Sequence, residues 1–181
     1  MILHIKDFIK DNTNATPALV EAISTLSDGD TLLLDGGVYH LYPEGAYTKE
    51  YYISNNDCGP KPIAFPLIGK KNVTVDGGGA ELIFHGKMNP IVIDASENVA
   101  VKGLSIDYHT PLYAQAKILE AGDDGILLKF DGKDFHCRVQ NGNFCFYSPD
   151  DGWDWEVESA LSLEFDECYS SLKRRRGIVD F

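Results

Sequence analysis

Gly69-Lys-Lys-Asn72-Val-Thr-Val-Asp76-Gly-Gly and Ala95-Ser-Glu-Asn98-Val-Ala-Val-Lys102-Gly-Leu are two readings of one pattern. Asn72 aligns with Asn98, Val73 with Val99, Val75 with Val101 and Gly77 with Gly103, a shift of 26 residues. Each copy leads into a further alternation, Leu82-Ile-Phe84 after the first and Leu104-Ser-Ile106 after the second. A short strand, a glycine turn and a second strand recurring at a fixed period are the signature of a solenoid. The period fits one coil of a parallel β-helix. Each coil buries alternate side chains and offers its strand edges to the next. Two ordinary hairpins in a sandwich are the alternative. The expected fold is all-β: right-handed parallel β-helix coils, an N-terminal capping helix and an inserted small antiparallel β-barrel.

Upstream, Thr16 before Pro17 reads as an N-cap with proline at the first helical position. Leu19, Val20, Ile23 and Leu26 follow at helical spacing, and Ser27-Asp28-Gly29-Asp30 stops the run. A helix over 17–27 would cap the first coil, whose interior is otherwise open. Thr31-Leu-Leu-Leu-Asp35 and Val38-Tyr-His-Leu41 read as a strand pair bent at Gly36-Gly37. Residues 42–62 are too long and too polar for one coil turn and read as a protruding loop. That loop carries Tyr42, Tyr47, Tyr51 and Tyr52 with Asn55, Asn56 and Asp57. The tyrosines either offer faces to a sugar or pack the loop onto the scaffold.

Downstream, the rhythm changes at Thr110-Pro111. Alternating runs at 114–118, 126–130, 135–139, 144–147 and 161–165 are separated by turn signals such as Gly122-Asp-Asp-Gly125 and Asn141-Gly142. This predicts an antiparallel meander closing into a small barrel. Trp153 and Trp155 either close that barrel or form a sugar platform. The expected division is 1–110 for the capping helix and coils, 111–172 for the barrel-like insertion, and 173–181 for a return to the coils. The return breaks off as a strand begins at Gly177-Ile-Val-Asp-Phe181, so a truncated chain is expected.

The 181 residues carry a formal net charge of −12, which argues against a nucleic-acid partner. No stretch has the length and apolarity of a membrane span, and the first residues lack a signal-peptide h-region. Location is therefore left open between the cell interior and an exported protein without its signal. Cys58, Cys137, Cys145 and Cys168 show no C-x-x-C spacing and no zinc-ligand pattern, so neither metal nor cofactor is expected. Free thiols and one or two disulfides both remain open.

Further residues carry a family likeness. Tyr39-His-Leu-Tyr-Pro-Glu44, Tyr52-Ile-Ser-Asn55-Asn-Asp57 and Ala64-Phe-Pro-Leu-Ile-Gly69 resemble the N-terminal region of glycoside hydrolase family 110. So do Leu82-Ile-Phe-His85-Gly86 with Met88 and Pro90, and Ser105-Ile-Asp107-Tyr with Gln115. The likeness covers roughly residues 30 to 118 and extends loosely into the insertion. It implies a β-helix interrupted by small barrels and an inverting, exo-acting α-1,3-galactosidase activity on galactose-terminated glycans. In that family the chain runs far beyond this length, with catalytic carboxylates expected on coils after the insertion. No catalytic residue is carried over, and this chain alone is expected to be inactive.

Glycoside hydrolysis uses two carboxyl groups, about 6.5–9.5 Å apart for inversion and about 5–5.5 Å for retention. Asp76, before Gly77-Gly-Gly, reads as a turn former, and Asp94 before Ala-Ser similarly. Asp107, beside Tyr108 and His109 where the insertion leaves the coils, is the best candidate for substrate contact and the one candidate for catalysis. His85, His109, Tyr52, Asn55 and Asp57 complete the candidate substrate-binding set. His85 also fits a purely structural role. A non-catalytic carbohydrate-binding or structural module is the competing expectation. A calcium-dependent lyase is disfavoured by the lack of a clear basic residue on the coil face. An open final coil edge could also pair with a second copy.

Overall fold

A computed structural model describes residues 1–10, 13–52, 59–112, 116–122, 125–130, 136–140 and 143–156. The chain divides into two compact units, Met1–Leu112 and Tyr113–Phe181. Among the described residues, the fold is all-β apart from one α-helix and a 3₁₀ turn at Ile5–Asp7. Among the described residues, no helix is long and apolar enough to cross a membrane.

In the first unit the strands are β1 (Ile2–His4), β2 (Thr31–Leu33), β3 (Val38–Leu41), β4 (Tyr47–Glu50), β5 (Pro60–Ile68), β6 (Thr74–Phe84), β7 (Asn89–Asp94) and β8 (Ala100–Tyr108). β6 is the spine of one sheet. It pairs in parallel with β2 and β3 on one side and with β8 on the other, and β1 pairs in parallel with β2. A second sheet runs β4-β5-β7. Its β5–β7 ladder is parallel and keeps the 26-residue shift throughout, from Ile63 opposite Asn89 to Ile68 opposite Asp94.

The repeat visible in the sequence is a physical stack. Val75 lies opposite Val101, and the bridge Lys71–Glu97 carries the same spacing around the turn. Asn72 and Asn98 both adopt left-handed backbone, φ +53° each, which asparagine tolerates better than most residues. Their side chains form a ladder: Asn98 Nδ2 donates to Asn72 Oδ1 at 2.8 Å, and Asn72 Nδ2 to Asp28 Oδ1 at 2.7 Å. The register then slips. Asp76 faces Lys102, but Ala80 faces Leu104, so Gly77–Gly79 take up two extra residues. Gly78 and Gly79 do so with φ of +58° and +87°.

The core lies between the two sheets and the helix. Leu32, Leu34, Leu41, Phe65, Leu67, Val73, Val75, Leu82 and Phe84 are fully buried. Each such side chain contributes about 1.5–3 kcal/mol by leaving water. The helix α1 (Thr16–Thr25) adds Ala18, Leu19, Ala22 and Ile23 to this core. It begins one residue earlier than the sequence suggests, because Thr16 is not the cap. Asn14 Oδ1 accepts the Thr16 N–H at 2.9 Å, and the buried Thr16 hydroxyl accepts the Tyr42 N–H at 2.9 Å. Lys70 Nζ reaches the other end of the helix and donates to the Leu26 carbonyl at 2.9 Å.

The segment 42–62 differs from the expected loop. Tyr47–Glu50 is a strand, antiparallel to Pro60–Ile63, so the segment folds back on the second sheet as a hairpin. Its ladder bonds offset the cost of ordering a polar excursion. Asn55 and Asp57 lie outside the described residues.

The second unit contains β9 (Ala116–Gly122), β10 (Gly125–Phe130), β11 (His136–Gln140), β12 (Asn143–Ser148) and β13 (Trp153–Glu156). Among the described residues its pairings are antiparallel: β9 with β10, and β12 with both β11 and β13. Phe130 and Phe146 meet edge to face at 6.3 Å, and the Arg138 guanidinium lies 4.5 Å from the Tyr147 ring centre. The 161–165 run lies outside the described residues.

Candidate functional site

One corner of the first unit gathers rings from three passes of the chain. Leu41, Phe84 and Tyr108 are register partners on β3, β6 and β8. The residues that follow them, Tyr42, His85 and His109, therefore take the same position on successive passes. Backbone bonds fix that position. His85 N–H donates to the Leu41 carbonyl at 2.8 Å, and His109 N–H to the Phe84 carbonyl at 2.9 Å. Tyr42 stacks on His85 with centroids 4.1 Å apart and planes 8° apart. His109 stacks on His85 at 4.6 Å and 29°. His85 is only 6% exposed, whereas His109 is exposed.

His40, on β3, adds a third imidazole. Its Nδ1 lies 2.9 Å from His85 Nε2. That bond needs a proton on one nitrogen and a lone pair on the other, so the tautomers of the two rings are tied together. One ring nitrogen of His85 and one of His109 lie within 4.8 Å of one another. Register and stacking already account for their placement.

Asp107, two residues before His109, is exposed, and its Oδ1 accepts the Tyr108 N–H at 2.8 Å. It lies opposite Ile83 on β6 and is not part of the ring stack. Tyr108 donates its hydroxyl to the Met88 carbonyl at 2.9 Å, and burial raises its pKa.

A second polar cluster links the hairpin to β7. Tyr51 donates to Asp94 Oδ2 at 2.7 Å, Lys49 Nζ donates to the same oxygen at 3.0 Å, and Lys49 Nζ lies 3.1 Å from the Tyr51 oxygen. The Tyr51 bond and then the Lys49 ammonium hold the Asp94 carboxyl below its ordinary pKa. Hydrogen bonds to Tyr51 and Asp94 push Lys49 up to about 12. Tyr51 is raised as well, chiefly by its bond to Asp94. Tyr52, next in the chain, is 79% exposed. The four tyrosines thus divide: Tyr42 and Tyr51 are packed or bonded, while Tyr47 and Tyr52 face solvent.

Asp76 behaves as the turn former read from the sequence. Its Oδ1 accepts the Gly78 N–H at 3.0 Å, and Lys102 Nζ lies 3.2 Å from its Oδ2. The Gly78 bond and then Lys102 lower its pKa. A glycosidase general acid needs the opposite, a carboxyl held protonated near neutral pH. Asp76 and Asp94 are both kept ionised and ion-paired, which unfits them for that role.

His85 and His109 are thus brought together, while Asp107 and Tyr52 lie outside their stack. The reading from sequence missed His40 and Lys49, and left Tyr42 and Tyr51 open between sugar contact and packing; the structure gives them packing and bonding roles. One signal was present for Tyr42. Leu41-Tyr42, Phe84-His85 and Tyr108-His109 each end a strand with a large apolar residue followed by a ring.

The first unit is of the β class, with parallel strands stacked in register and an imidazole-lined corner. No family model matches the chain. It is similar to α-1,3-galactosidase B of Phocaeicola vulgatus, 40% identical over 158 residues, which are 83% of this chain and 26% of that protein. It is 34% identical over 151 residues to α-1,3-galactosidase B of Akkermansia muciniphila, covering 82% of this chain and 19% of that protein. α-1,3-Galactosidase A of Shewanella woodyi is 35% identical over 156 residues, 84% of this chain and 25% of its own length. The chain thus spans about a quarter or less of the length of these curated relatives.

Proposed function

We propose that this chain forms the N-terminal coils and first barrel-like insertion of an α-1,3-galactosidase-like glycoside hydrolase of family 110. The observation that carries the reading is similarity at 34–40% identity, across more than four-fifths of the chain, to three proteins named α-1,3-galactosidases. The parallel registers of β5–β7 and β6–β8 support coils of a right-handed parallel β-helix, with α1 as its cap. The antiparallel pairs β9–β10 and β11–β12–β13 support an antiparallel insertion, which we read as the barrel. The substrate class is a galactose-terminated glycan, cleaved from its end with inversion.

In this reading the catalytic carboxylates lie on coils beyond these 181 residues. The ion pairs of Asp76 and Asp94 disfavour either as the general acid of such a reaction. The chain's own contribution is to binding. His109, exposed at the edge of the unit, contacts the sugar. Asp107 bonds its hydroxyls, the buried His85 serves from behind by holding the His109 ring in place, and Tyr52, Asn55 and Asp57 contact a more distant residue of the glycan. A non-catalytic carbohydrate-binding or structural module is the second reading.

Titration calorimetry with an α-1,3-linked digalactoside, alongside proton NMR of the same mixture, tests the proposal. Saturable binding without release of galactose is the expected result for this chain. Release with the α-anomer appearing first would overturn the inverting mechanism. Absence of binding by the folded chain would overturn its role in holding substrate.

A further inference from the structure

We draw no further inference here: the strongest candidate, the apolar edge that Ile93 of β7 and Ile106 of β8 leave exposed beyond the fully buried Leu67 and Leu82, carries nothing because nothing in the structure shows what covers it.

Discussion

Gly77 is the position at which the stacked register can be tested by one methyl group. A Cβ built there would collide with the carbonyl oxygen of Gly103 and come within 2.6 Å of Leu104 Cβ. Both atoms belong to β8, the next pass of the chain, and neither is the far end of a flexible side chain. Gly77 has no positive φ, so Gly77→Ala adds crowding and no backbone strain. Overpacking a close-packed interior costs about 1–3 kcal/mol and occasionally more. With rigid atoms on the receiving side, about 3 kcal/mol is expected. For a chain of this size that lowers the melting temperature by roughly 6–12 °C.

Gly79→Ala is the matched control. Nothing lies within 4 Å of its added Cβ, and only its φ of +87° opposes the change, at about 1–2 kcal/mol. Urea unfolding of both variants, followed by circular dichroism, provides the comparison. If Gly77→Ala is no more destabilising than Gly79→Ala, β8 does not lie against β6 as described.

The asparagine ladder gives a second test. Asn98→Ala loses the bond to Asn72 and places alanine at positive φ, for a total of about 2 kcal/mol, while Asn98→Gly loses only the bond, about 1 kcal/mol, both read from urea midpoints. Thr16→Val strands the Tyr42 N–H beside the core and is expected to cost about 1–3 kcal/mol by the same assay, whereas Thr16→Ser retains most of the stability. Asp94 titrates lower in the folded chain than in the unfolded one. Its contribution is therefore complete above the ordinary aspartate pKa, about 3.9, and is lost as pH falls through the lower folded value. Acid unfolding of Asp94→Asn should accordingly show a shallower dependence on pH below about 4 than the parent chain. An unchanged acid limb would remove Asp94 from the account.

Much of the second and third passes was legible because their side chains repeat. Asn72 with Asn98 and Val75 with Val101 are contacts as well as alignments, since a parallel stack turns sequence period into vertical neighbourhood. The slip at Gly77–Gly79 was hidden: glycines accept a bulge without leaving a hydrophobic mark. Residues 42–62 were the harder case. Polar composition suggested a loop, but pairing of Tyr47–Glu50 with Pro60–Ile63 satisfies the backbone whatever the side chains are. Because that excursion lengthens the first pass, Tyr42 and His40 stand 43 and 45 residues from His85, outside any 26-residue comparison. Lys49, Tyr51 and Asp94 meet for the same reason, across segments with no shared period. His85 and His109 were legible as strand-end residues, but their stacking on Tyr42 required the register.

The central claim is that this chain supplies the substrate-holding portion of an α-1,3-galactosidase-like enzyme. It is tested most directly by exchanging the chain for its counterpart segment in the Phocaeicola vulgatus relative, with which it is 40% identical over 158 residues. Proton NMR would follow hydrolysis of an α-1,3-linked digalactoside by the chimera, with folding verified by circular dichroism. The account predicts galactose release by the chimera with the β-anomer first, and none by this chain alone. A folded chimera that releases no galactose, or releases the α-anomer first, would contradict it.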